Sequence, residues 1–226
     1  MKKAKETFLL KLKKDKLKKN IIDTFAAVDQ ERFFDPFFKK KFYTEEVIPI
    51  GKGESGDPPF VLAKMLQYAA IGKKSRVLEI GTGTGYSTSL ISHLADEVFT
   101  IDYEEEFAVS AKERLKKLKI GNVRFFCGDG TAIQQPLMPF DVIMIFAACY
   151  YRPLNLLKIL KRDGVMVFPM GPLQNQQVTV FKNEMNMEDD RVFQMTFHEF
   201  CSYRLIRGRY GEDVIPFIGQ EDPLKE

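Results

Sequence analysis

The run Glu79-Ile80-Gly81-Thr82-Gly83-Thr84-Gly85-Tyr86 is the part of the sequence best suited to hold a ligand. Glycines at alternate positions let the backbone turn sharply and let a ligand approach with no Cβ in the way. The run follows an apolar stretch, SRVLEI (75–80), and opens a helix from about Tyr86 to Leu94, the context in which such loops bind. A dinucleotide fingerprint needs glycine at position 86, where this chain has Tyr86. Asp102, followed by Tyr103, ends a second apolar run, EVFTID (97–102), where a carboxylate can accept hydrogen bonds from both hydroxyls of a ribose. Asp129, in Cys127-Gly128-Asp129-Gly130, ends a third. Either aspartate alone could merely cap the helix after it. Three such signals at successive strand ends point to one ligand.

The elements that must position these residues alternate. Strands are expected at 75–80, 97–102, 123–127, 140–146 and 165–170, with helices at 60–72, 86–94, 104–118 and 153–161 between them. Two alternating segments, QQVTVFK (176–182) and one near 197–206, are read as strands that close the sheet. This pattern implies an α/β fold, Rossmann-like, with a doubly wound, mostly parallel sheet whose ligand sits at the carboxyl ends of the strands. Ahead of it lies a helical N-terminal lobe. There Leu10, Leu17, Ile21 and Phe25 recur at helical spacing under a lysine-rich outer face, and a phenylalanine-rich stretch (33–42) follows. The expected organisation is one domain over 1–226: lobe 1–60, cofactor-binding core 61–185, closing strands 186–226.

Composition excludes several function classes. Hydrophobic residues make up 45% and charged residues 29% of the 226, and the net charge of +3 gives no strong field for nucleic acid. Cys127, Cys149 and Cys201 lie far apart and in apolar runs, suggesting neither a disulfide framework nor a metal site. No apolar run approaches the roughly 20 residues of a membrane span. The expectation is a cytoplasmic monomer with no metal.

The glycine spacing behind an acidic residue resembles motif I of class I methyltransferases, whose loop wraps the methionine end of S-adenosyl-L-methionine. Further stretches narrow the resemblance: LKKNIIDTFAAVDQERFF (17–34), IPIGKG (48–53), RVLEIGTGTGYSTSLIS (76–92), NVRFFCGDGT (122–131), PFDVIMIFAAC (139–149), LLKILKRDGVMVFPMGPLQNQQ (156–177) and RLIRGRYG (204–211). Together they are similar to the protein-L-isoaspartate O-methyltransferase family over roughly residues 8–211. The resemblance implies methyl esterification of isoaspartyl carboxylates in proteins or peptides, a repair reaction that leaves S-adenosyl-L-homocysteine. It implies a cofactor site of Ser55, Gly56, Glu79, Gly81, Thr82, Gly83, Thr84, Gly85, Asp102, Tyr103, Asp129 (near the adenine amino group) and Gly130. Ser55 and Asp57 fall where the family touches the substrate carboxylate. A carboxylate is already a nucleophile and a sulfonium methyl already activated, so alignment supplies most of the rate and no base is required. His93 and His198 are expected at the surface or in packing.

Two departures bear on the acceptor. After Ile-Gly-x-Gly the family continues Gln-Thr-Ile-Ser-x-Pro, whereas this chain has Glu54-Ser55-Gly56-Asp57-Pro58-Pro59, so Asp57 stands where the family has serine. Nearer the C-terminus the family has Val-Pro-Leu, and this chain offers Arg204-Leu205-Ile206, then Arg207. A carboxylate facing a carboxylate substrate is repulsive unless protonated or paired, and Arg204 or Arg207 could pair it. Two other readings therefore stand beside isoaspartyl repair: methyl transfer to an amine or hydroxyl, and a non-catalytic S-adenosylmethionine-binding module.

Overall fold

The computed structural model describes residues 2–133, 139–184 and 192–209. Helices α1 (Lys2–Lys14) and α2 (Lys19–Ala27) open the chain, and two 3-10 turns, Gln30–Arg32 and Pro36–Phe38, follow. A small hairpin, β1 (Ile48–Gly51) and β2 (Glu54–Gly56), leads into α3 (Pro59–Ala69). Then come β3 (Arg76–Ile80), α4 (Tyr86–Leu94), β4 (Glu97–Asp102), α5 (Glu105–Lys117), β5 (Val123–Cys127) and β6 (Phe140–Ile145). Last are α6 (Leu154–Leu157), β7 (Leu160–Met170), β8 (Gln176–Glu184) and β9 (Val192–Cys201).

The sheet has seven strands in the order β5-β4-β3-β6-β7-β8-β9. The first five are parallel, β8 runs against β7, and β9 runs against β8. The order reverses between β3 and β6, so a crevice opens at their carboxyl ends. Central strands are apolar on both faces: Val77, Val142 and Met144 enter one core, Leu78, Ile143 and Ile145 the other. The first core also takes in α1–α4 and the N-terminal lobe, while the second packs under α6 and Ile206.

The lobe differs from the single helix expected. Lys16 adopts φ 58°, and the Leu17 amide donates to Leu12 O, a left-handed stop that ends α1. The phase of the apolar stripe changes there. Phe8 and Leu12 face the core, whereas Leu10 is 64% exposed. Leu17, Ile21 and Phe25 are buried as expected. Tyr86, the first residue of α4, lies with its ring centroid 5.4–6.4 Å from those of Phe25, Phe33 and Phe34. The lobe thus clamps the residue that ends the glycine turn.

Further expectations are corrected. The helix across 153–161 shrinks to one turn, because Leu160 pairs with Phe140 and begins β7, and Asp163 (φ 59°) with Gly164 takes up a bulge before Val165 pairs with Val142. LLKIL carries no periodicity that separates a buried helix from a buried strand. The strand near 197–206 starts earlier, at Val192, and ends at Cys201; beyond it Leu205 makes one isolated bridge to Ala148. Cys127 is exposed rather than packed, and all three cysteines are free. Residues 134–138, 185–191 and 210–226, including part of the closing segment and Tyr210-Gly211 of its motif, lie outside the described residues.

Candidate active site

The glycine run turns between β3 and α4 with Gly81, Gly83 and Gly85 all at positive φ. Gly83 faces open space: a Cβ there would meet only Ile50 Cδ1, at 3.4 Å. At Gly85 a Cβ would fall 2.8 Å from Leu115 Cδ1, so this glycine lets α5 pack against the turn instead. Asp102 ends β4 and organises the loops beside it. Its Oδ2 accepts from the Gly83 amide at 2.8 Å and its Oδ1 from the Glu104 amide at 2.9 Å. Burial raises the Asp102 pKa, against the lowering pull of those amides and Arg207. Each oxygen keeps a lone pair for a further donor, such as a hydroxyl.

Glu79 is fully buried beneath the turn. Its Oε2 accepts from Thr88 Oγ1 at 2.6 Å and Thr100 Oγ1 at 2.7 Å. Thr100 spends its only proton there, so the 2.6 Å contact with Thr82 makes Thr82 the donor. The other oxygen, Oε1, has no partner within the protein. Burial pushes the Glu79 carboxyl up to about 7, and the charge of Asp57 adds to the rise. Asp57, just past β2, is likewise pushed up to about 7 by burial, although the Tyr203 hydroxyl donates to it and a backbone amide helps. The same contact and burial drive the Tyr203 phenol up.

One cavity collects these groups. Of the residues expected from sequence, Ser55, Asp57, Gly81, Thr82, Gly83, Thr84, Asp102, Tyr103 and Gly130 line it. Glu79 sits behind it and reaches it through Ser87, which lines the wall and donates to Glu79. Gly56 is covered by Phe34: an added Cβ would lie 2.3 Å from Phe34 Cε1. Asp129 is not among the residues that line the cavity. Its Oδ1 accepts from the Thr131 amide and hydroxyl, and its Oδ2 from the Arg209 amide, so it caps one loop and pins another instead of lining the cavity. His93 bonds Ser89 O and His198 stacks on Tyr68, away from the cavity.

The mouth is rimmed by charges. Arg204 pairs with Glu54 (3.1 Å), Arg207 with Glu104 (2.7 Å) and more loosely with Glu54 (3.8 Å), and Lys52 with Glu106 (3.2 Å). The arginines expected to neutralise Asp57 therefore serve Glu54 and Glu104, and the partner of Asp57 is Tyr203. Sequence reasoning missed Tyr203, Ser87, Phe34, Phe107 and Phe146 on the cavity wall. Ser87 was signalled by a hydroxyl in the first turn after the glycines; Tyr203 had no signal beyond adjoining Arg204.

The family model for Protein-L-isoaspartate(D-aspartate) O-methyltransferase (PCMT) matches residues 2–203. The chain belongs to the protein-L-isoaspartate O-methyltransferase family. The family's enzyme from Pectobacterium carotovorum is 38% identical over 167 residues, 74% of this chain and 80% of that one. The Klebsiella pneumoniae enzyme is 37% identical over 151 residues, 67% and 73% of the two chains. A solved protein-L-isoaspartate O-methyltransferase superposes with TM-score 0.77 at 25% identity, covering 91% of this chain and 67% of its own. A Plasmodium falciparum structure, described as a putative member in complex with S-adenosyl-L-homocysteine, shares the fold with TM-score 0.73 at 18% identity over 88% of this chain and 96% of that one. Family membership makes the chain an S-adenosylmethionine-dependent methyltransferase. Its residues fit that cofactor: Gly83 leaves room beside the turn, Asp102 keeps free lone pairs, and Glu79 Oε1, beneath the turn, is a buried acceptor with no donor in the protein.

Proposed function

We propose that this protein transfers a methyl group from S-adenosyl-L-methionine to the α-carboxylate of isoaspartyl residues in proteins and peptides. The observation that carries the reading is the meeting, in one cavity, of the glycine turn, the strand-end Asp102 and the β2 exit with Ser55 and Asp57. The first two suit a cofactor. The third falls where the family meets its acceptor.

The cofactor supplies a sulfonium-bound methyl, whose C–S electron pair returns to sulfur as the acceptor oxygen forms the new C–O bond. What the chain must add is alignment and exclusion of water. Apolar side chains do the excluding: Phe34, Ile50, Phe107 and Phe146 wall the cavity. The Glu79–Thr100–Thr82 chain holds the floor of the turn rigid. No described histidine approaches the cavity, which suits an acceptor that arrives already ionised.

A peptide carrying one isoaspartyl residue, incubated with labelled cofactor, should yield a base-labile methyl ester, and the matching aspartyl peptide should not. Equal labelling of both, or of neither, would refute the proposal. Methylation of an amine or hydroxyl instead would favour the second reading, methyl transfer to such an acceptor. No described helix is long and apolar enough to cross a membrane.

A further inference from the structure

Asp57 lines the cavity, Glu79 lies behind its wall at Ser87, and the charge of Asp57 adds to the cost of ionising Glu79. Asp57 is held by the Tyr203 hydroxyl and a backbone amide, both neutral. Glu79 has three hydroxyl donors, Thr88, Thr100 and Ser87, also neutral, and one oxygen with no partner at all. The arginines on the same wall, Arg204 and Arg207, are turned to Glu54 and Glu104. Two carboxylates gathered in a poorly hydrated place without a matching cation are costly, and a ligand that brings positive charge relieves both. S-adenosyl-L-methionine brings two such charges, an ammonium and a sulfonium. S-adenosyl-L-homocysteine keeps only the ammonium.

We infer that Asp57 is a counter-ion for the cationic end of S-adenosyl-L-methionine and makes this pocket favour that cofactor over its uncharged-sulfur product. The orphaned oxygen of Glu79 suits the ammonium, which cofactor and product share; Asp57 is the second carboxylate, left to answer the charge they do not share. A consequence for turnover follows. Positive charge on sulfur fades as the methyl leaves, so a carboxylate beside it stabilises the bound reactant more than the transition state. Asp57 therefore tightens cofactor binding and hastens product exchange while slowing transfer itself. The inference rests on the cofactor, not on the identity of the acceptor.

Calorimetry at pH 8 without acceptor tests it. The intact protein should bind S-adenosyl-L-methionine at least tenfold more tightly than S-adenosyl-L-homocysteine. Asp57→Asn, which keeps the shape and removes the charge, should weaken the cofactor at least fivefold and the product less than twofold. Equal weakening of both, or no change in either, would overturn the inference. Should the variant fold poorly, the unaltered protein still decides the matter with sinefungin, which carries an amine in place of the sulfonium methyl. Sinefungin should rank near S-adenosyl-L-methionine; ranking with S-adenosyl-L-homocysteine would overturn the inference. Failure of the unaltered protein to bind any of the three would instead strike down the cofactor assignment, and the inference with it.

Discussion

A Cβ placed on Gly208 would lie 2.0 Å from Oδ1 of Asp129, and Gly208 holds φ 114°. The pair locks the segment after β9 onto the end of β5, with the Arg209 amide donating to the other carboxylate oxygen at 2.7 Å. Gly208→Ala meets both a clash and backbone strain worth on the order of 1–3 kcal/mol. Because Arg204 to Arg207 reach the cavity from this segment, the substitution should weaken cofactor binding and expose the segment to protease. Asp129→Asn should do so more mildly. Cleavage near residue 208 at an unchanged rate in both variants would contradict this lock.

Asp102→Ala removes the acceptor of two backbone amides and the carboxylate nearest the expected ribose hydroxyls. Charge-assisted hydrogen bonds of this kind are worth about 1–3 kcal/mol. Calorimetry with S-adenosylhomocysteine should show a loss of that size. Unchanged affinity would mean the ligand lies elsewhere.

Asp57 opposes a carboxylate acceptor only when ionised. At about 4 Å two such charges repel by about 1 kcal/mol in water and about 4 kcal/mol at an effective dielectric of about 20. With its carboxyl pushed up to about 7, Asp57 is protonated at pH 6 and charged at pH 8. Turnover of isoaspartyl peptide should therefore fall as pH rises from 6 to 8. In Asp57→Ser it should stay level and exceed the original by about tenfold at pH 8. A parallel pH profile in the two proteins would show that the acceptor does not meet this side chain.

Stability should follow the same two carboxyls. Asp57 and Glu79 hold protons in the folded chain that they release near pH 4 when unfolded. Folding thus keeps their full contribution below pH 4 and loses it as pH climbs through about 7, at about 1.4 kcal/mol per tenfold change in proton affinity. Melting of Asp57→Asn should decline less between pH 5 and pH 8 than that of the unaltered protein. S-adenosylmethionine, by supplying positive charge, should lessen the decline of the unaltered protein and so narrow that difference.

The lobe is expected to be part of the core. Phe25 is fully buried, edge-on to both Phe8 and Tyr86. Phe25→Ala should cost about 3–5 kcal/mol in denaturant unfolding. A smaller cost would mark the lobe as separable.

The five parallel strands were legible because each is a short apolar run bounded by glycine or charge, and the glycine turn because its conformation admits few other residues. Legibility failed where the chain's own sequence was neutral between outcomes. Ile159-Leu160 suits a buried helix or strand equally, and only its pairing with Phe140 decides. Lys16 carries no glycine to announce the break in the N-terminal helix, so Leu10 was placed on the wrong face. Asp129 follows β5 where the sequence places it, but its bonds to Thr131 and Arg209 are contacts that no local pattern announces. Tyr203 meets Asp57 across 146 residues, a distance no local pattern encodes.

Ala148 donates to Arg204 O and receives from the Ile206 amide, so the far wall of the cavity is stitched on by residues near position 205. The glycine turn, Asp102 and Gly130 are all made before residue 131. On the ribosome, domains fold as the chain emerges. The residues on the nucleotide side of the cavity are thus synthesised 73 or more positions ahead of Tyr203. During that interval Asp57 lacks its hydroxyl donor and the rim lacks its arginines. Order of synthesis thus sets the glycine turn and Asp102 apart from the late-made wall that completes the cavity.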